Sequence, residues 1–103
     1  MREIIDKINT STQIYRITEI RECDNEILKT DEDSVRRIGK VGDVRIIPFI
    51  GNGDNMVFLD KSGLSGFITS KVVDIEQLSP ISLCVTTKNS RYYLEEVQDD
   101  TEI

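Results

Sequence analysis

Ile81-Ser82-Leu83-Cys84-Val85-Thr86-Thr87-Lys88-Asn89-Ser90-Arg91-Tyr92-Tyr93-Leu94-Glu95-Glu96-Val97 is the stretch on which the fold turns. Ile81, Leu83 and Val85 fall on one side of an extended chain, and Ser82, Cys84 and Thr86 on the other. Period-two ordering of this kind describes an antiparallel strand with one face in a core and one in water. Lys88 to Arg91 has hairpin composition, with Asn89 suited to left-handed backbone geometry. Tyr92 to Val97 is then the returning strand, with Tyr92 or Tyr93 covering one end of the core.

The same pattern extends backward. Phe67 to Glu76 is the longest β-type run, and Gln77-Leu78-Ser79-Pro80 breaks it. Val44–Ile50 and Met56–Asp60 flank an Asn52-Gly53 pair, the strongest short hairpin signal in the chain. Lys61 to Gly66 is a second turn region. Pro48 lacks an amide donor, which predicts an edge or a bend there. Gly39 and Gly42 predict a bulge, a sharp bend or a close crossing. Further back, Gln13 to Ile20 is dense in β-branched and aromatic residues, but Tyr15 and Ile17 share one face and Ile14 and Ile20 the other. That fits a bulged strand or one covered on both sides.

Asp24-Asn25 reads as a turn and Glu26–Lys29 as a short strand. Asp31–Ser34 is an acidic loop that also suits capping of a helical turn through Val35–Arg37. Ile4, Ile5 and Ile8 predict one or two turns of helix at the N-terminus, ended by the polar Asn9–Thr12.

Turn signals every eight to fifteen residues, with strands between them, describe an antiparallel meander. Five or six short strands are too few for a sandwich, but they can curl into a barrel and hide their edges by closing. The expected fold is all-β: a small antiparallel five- or six-stranded SH3-like barrel over residues 13–97. An N-terminal extension, helical in part, occupies 1–12, and an acidic tail 98–103. The alternative is an open curved sheet packed by the N-terminal helix.

With 103 residues and no His, the chain lacks the partner that Ser-His-Asp triads and Cys-His nucleophiles require. Glu95 and Glu96 are adjacent on a strand, so they point to opposite faces and cannot converge on one substrate. No calcium-loop, nucleophile-elbow or phosphate-loop pattern is present, and the expectation is a protein that is not an enzyme and uses no cofactor or metal. Cys23 and Cys84 show no paired spacing and read as reduced thiols. The N-terminus has acidic residues and no long apolar run, and no stretch approaches the roughly 18 residues of a membrane span. Those features predict a cytoplasmic protein with no membrane partner.

The net charge of −6 is unevenly spread. Residues 1–35 carry −4, residues 36–98 carry +1, and the last five add three acids. Arg36, Arg37, Lys40 and Arg45 fall within ten residues, and with Tyr92 and Tyr93 for stacking they form the candidate binding set. The competing reading is that the arginines pair with the acids at 31–33.

Gly39, Lys40, Val41, Gly42 and Val44, within Arg36–Val44, resemble the glycine-centred β-turn segment of KOW-type SH3-like domains, and that resemblance implies a nucleic-acid binder. A second resemblance lies in Gly66-Phe67-Ile68-Thr69-Ser70-Lys71-Val72, Asp74-Ile75-Glu76 and Val85–Leu94, which look like short uncharacterised β-rich proteins of Gram-positive bacteria, their phages and mobile elements. It implies a phage or mobile-element setting. The leading expectation is a non-enzymatic module that binds another protein, or itself as a homodimer, with nucleic acid less favoured because the chain is acidic. An inhibitor of a host defence nuclease, meeting a basic surface with its acidic ends, is one form of that expectation.

Overall fold

A computed structural model describes residues 2–49, 53–63 and 65–97. The elements run α1 (Arg2–Thr10), β1 (Tyr15–Glu22), α2 (Glu32–Arg37), β2 (Val41–Ile47), β3 (Asn55–Asp60), β4 (Gly66–Ser79), β5 (Ser82–Thr87) and β6 (Ser90–Glu96). Every strand pairs antiparallel with the next, and β6 returns to β1, so six strands close one barrel. The small antiparallel barrel expected from the sequence is therefore the fold, in its six-stranded form. The acidic tail and the Asn52 of the expected hairpin lie outside the described residues. The pairing of β2 with β3, from Gly42↔Asp60 to Ile47↔Asn55, is that of the expected hairpin.

The core follows from alternation. Ile17, Val44, Phe58, Val85 and Leu94 point inward from five strands and are fully buried. Each such side chain contributes about 1.5–3 kcal/mol relative to exposure. In β1 the register with β6 shifts between Ile17 and Glu19. That bulge is the reason Tyr15, Ile17 and Ile20 are all buried despite broken alternation. Gly42 is required by a close crossing: a Cβ there would stand 2.1 Å from the Leu59 carbonyl oxygen.

Helix α1 is too short to persist alone. Ile5 and Ile8, one turn apart, are 1% and 2% exposed and join the barrel core. Asn9, expected to interrupt the helix, lies inside it and has a structural task. β1 and β2 pair only at Tyr15↔Gly42 and Arg16↔Val41. Beyond that point the Asn9 side chain takes the place of a strand: its Nδ2 donates to the Ile46 carbonyl and its Oδ1 accepts from the Ile46 amide, both at 2.8 Å.

Several local expectations are corrected. Pro48 follows the end of β2, on whose free side α1 stands in place of a strand, so the expected edge is present but covered. Glu26–Lys29 is not a strand. Glu26 adopts φ of 59°, turning the chain back so that only one bridge, Arg21↔Leu28, forms against the end of β1. Ile81 does not join Leu83 and Val85 inside; it sits in the β4–β5 turn and is 40% exposed. Of the two cysteines, read as buried reduced thiols, Cys84 is buried on the face opposite Leu83 and Val85 while Cys23 is only partly buried, and both are free.

Candidate functional site

The β1–β2 connection carries α2 across one end of the barrel. Asp31 caps the helix, its carboxylate accepting from the Ser34 amide at 3.1 Å. Hydrogen bonds from Ser34 hold the Asp31 carboxyl below the ordinary carboxylate value. Arg36 and Arg37 occupy the last turn, where cations suit the helix dipole. Ile38 ends the helix and Gly39, at φ 92°, turns the chain into β2. The Gly39 amide donates to the Ile17 carbonyl at 2.7 Å and the Lys40 carbonyl accepts from Ile17 at 3.0 Å. These bonds fix α2 to β1 on one side and aim its C-terminal cations toward β4 on the other.

Under α2 lies a stack of three rings. Phe58 and Phe67 are paired across β3 and β4, with centroids 5.3 Å apart and planes 16° from parallel. Phe67 meets Tyr92 of β6 at 5.8 Å. The Arg37 guanidinium lies 4.1 Å above the centre of Phe67 and donates through Nη1 to the Tyr92 hydroxyl at 2.9 Å. Burial pushes the Tyr92 phenol above its ordinary value, and the neighbouring Arg37 charge pulls it partly back.

Beside this stack is a cleft of about 240 Å³ lined by Asp33, Arg36, Arg37, Lys40, Gly66 and Phe67. A second depression of about 240 Å³ begins on the other side of Arg37, between Thr69 and Ser70 of β4 and Ser90 and Tyr92 of β6. Three of the candidate residues named from sequence, Arg36, Arg37 and Lys40, thus converge on one cleft, with Tyr92 behind it. Arg45 does not join them: it projects from β2 and its Nη1 donates to the Val44 carbonyl. Tyr93 also stands apart, because neighbours on a strand face opposite ways: Tyr92 is buried, while Tyr93 pairs with Cys84 across β5 and β6. Phe67 and Asp60 were not singled out by sequence reasoning. Phe67 opens the longest β run, but nothing local says that it ends beneath a helix thirty residues earlier.

The cations differ in what already satisfies them. Arg36 pairs with Glu32 at 3.0 Å and Asp33 at 3.8 Å, as the competing reading of the charge pattern expected. Lys40 reaches Asp60 at 3.3 Å. Hydrogen bonds from Ser62, followed by the one from Lys40, hold the Asp60 carboxyl below its ordinary value. Arg37 is half-buried and, among the described residues, is in no ion pair. Its guanidinium is fixed by a ring and a phenol, and the planar fork of a guanidinium matches the geometry of an oxyanion.

Among the described residues no group of three or more carboxylates or thiols is arranged to hold a metal ion, and no helix is long and apolar enough to cross a membrane. No known protein family, curated protein or solved structure matches the chain.

Proposed function

We propose that this protein is a non-enzymatic binding module that grips a carboxylate-bearing segment of another protein in the cleft between α2 and β4. The observation that carries the reading is the state of Arg37: half-buried, stacked on Phe67, bonded to Tyr92, and without an acidic partner among the described residues. A partly desolvated cation gains most from a paired, hydrogen-bonded anion. Arg36 and Lys40 stand beside Arg37, each already paired with an acid, and add positive charge at the mouth of the cleft.

The acidic loop expected to meet a basic partner is otherwise engaged, since Asp31 caps α2 and Asp33 pairs with Arg36. A nucleic-acid partner is less favoured. The chain carries a net charge of −6, so its long-range field opposes an extended polyanion, whereas a short acidic segment brings few charges to the cleft.

The test is titration with a capped glutamate-rich peptide and, separately, with a single-stranded oligonucleotide, each followed by amide chemical shifts. Peptide binding that perturbs Arg37 and Phe67 and weakens at least fivefold in Arg36→Gln/Lys40→Gln is expected. Binding of the oligonucleotide alone, or peptide binding unaffected by the double substitution, would overturn the assignment.

A further inference from the structure

The first residues of β4, Gly66–Ser70, pair with β3 before β5 joins the strand on its other side. The Asp60 amide donates to the Ser65 carbonyl at 2.9 Å, so 60 and 65 are a hydrogen-bonded pair of the β3–β4 ladder. The same register continues through Leu59↔Gly66, Phe58↔Phe67 and Val57↔Ile68. Alternation then requires the main-chain groups of Phe67 to face β3 and those of Gly66 and Ile68 to face away from it. On that far side β5 joins β4 only from Val72↔Thr87 onward, after the Lys88 amide has bonded the Lys71 carbonyl. Among the described residues, no strand pairs with Gly66–Ser70 on that side.

Open edges are usually guarded by lysine, proline or a bulge that twists them aside. Gly66-Phe67-Ile68-Thr69-Ser70 contains no charge and no proline, and its bulge, where the register passes from Val57↔Ile68 to Asn55↔Lys71, lies at the far end at Thr69–Ser70, leaving Gly66–Ile68 without a guard. Instead the edge faces the two depressions already described, which meet at Asp33 and Arg37 and together follow β4 from Ser65 to Ser70, with α2 as the opposite wall. Five residues of strand, Gly66–Ser70, span about 17 Å. Within this length the Ser70 hydroxyl is buried and has no hydrogen-bond partner.

We infer that the partner's segment binds as an added β-strand along the Gly66–Ser70 edge of β4, beneath α2, with an acidic side chain received by Arg37. This rests on the protein-binding reading above and specifies its mode. The main-chain groups of Gly66 and Ile68 supply the ladder, and the cations supply the selectivity for acidic sequence. Arg36, Arg37, Lys40 and Lys29 line the groove with Asp31 and Asp33; Glu32 and Asp60 pair with Arg36 and Lys40 from beside it, and Arg37 and Lys29, in no ion pair among the described residues, are the cations left to receive an acid. The same two cations disfavour a second copy of this chain as occupant, because pairing β4 with β4 would bring two sets of them together.

The probe is an acetylated and amidated hexapeptide of alternating Glu and Thr, added at millimolar concentration to the full chain. Hydrogen exchange at the Gly66 and Ile68 amides is expected to slow at least tenfold, with Phe67 unchanged. The same peptide N-methylated at alternate residues keeps its charge and loses its donors; its binding is expected to fall at least tenfold. Ile68→Pro removes a donor that makes no bond inside the barrel and is expected to weaken the unmethylated peptide similarly.

If the unmethylated and methylated peptides bind equally and the two amides exchange as in the free protein, strand addition is overturned while acidic-segment binding stands. If no acidic peptide binds, or an oligonucleotide alone does, both are overturned. Self-association through β4, detected by sedimentation and abolished by Ile68→Pro, also overturns it.

Discussion

Replacing Arg37 by Met keeps the aliphatic stem over Phe67 and removes the charge and the donors. Two interactions are lost. Stacking of a cation on a ring at 4.1 Å contributes about 0.5–2 kcal/mol, depending on how far it is desolvated. The Tyr92 hydroxyl, on a residue only 4% exposed, loses a donor at 2.9 Å, a loss of about 1–3 kcal/mol where water does not replace it. The adjacent depression admits water, so the lower halves of both ranges apply and the expected destabilisation is about 2 kcal/mol. In a domain of this size that lowers Tm by roughly 8–16 °C.

The assay is a double-mutant cycle with Tyr92→Phe, read by thermal and denaturant unfolding. A coupling energy of about 1 kcal/mol is expected, because the second substitution removes the group that the first leaves unpaired. A tyrosinate titration supplies an independent readout: without the neighbouring guanidinium, the Tyr92 phenol should titrate at still higher pH. An Arg37→Met protein that melts with its parent, combined with a coupling below about 0.3 kcal/mol, would refute the view that Arg37 is fixed by Phe67 and Tyr92.

Asn9→Ala leaves the Ile46 amide and carbonyl without the side chain that stands in for a strand; a loss of about 1–3 kcal/mol is expected, with faster exchange of the Ile46 amide, and unaltered exchange there would show that α1 does not complete the barrel wall. Alkaline pH should destabilise the fold. Tyr15, Tyr92 and Tyr93 are raised above the ordinary phenol value of 10.0, chiefly by burial, so the folded state retains protons that the unfolded chain releases. Their contribution is complete below about pH 10 and lost as pH rises through the raised values, so denaturant midpoints that climb between pH 9.5 and 11, as ~1-unit steps are taken, would contradict it.

The strands were legible because their information is local. The inward Leu83 and Val85, the broken alternation at Ile17 and Ile20, and the turn composition near Gly53 each report what a few consecutive residues do. The candidate site was legible only in part. Arg36, Arg37 and Lys40 are neighbours in sequence and stay together because the α2 C-terminus and the Gly39 turn are themselves local. Arg45 is as close in the chain, yet one strand's alternation and length carry it away. Asn9 was read as a helix breaker because its two bonds are to a residue thirty-seven positions on.

From the sequence alone came an antiparallel β shell, a short N-terminal helix, the cluster of cations after the acidic cap, and a chain without histidine. Tertiary structure alone decided that Phe67 and Tyr92 lie under Arg37, that Asn9 completes the wall beside β2, and that β4 takes up β5 only at Lys71–Val72, with no strand beside Gly66–Ser70 on that side among the described residues. The division has a physical cause. Side-chain direction along a strand depends on the backbone repeat of adjacent residues, whereas barrel closure depends on shear between strands far apart in the chain, and shear determines which side chains share an end and which main-chain groups are left without a neighbour.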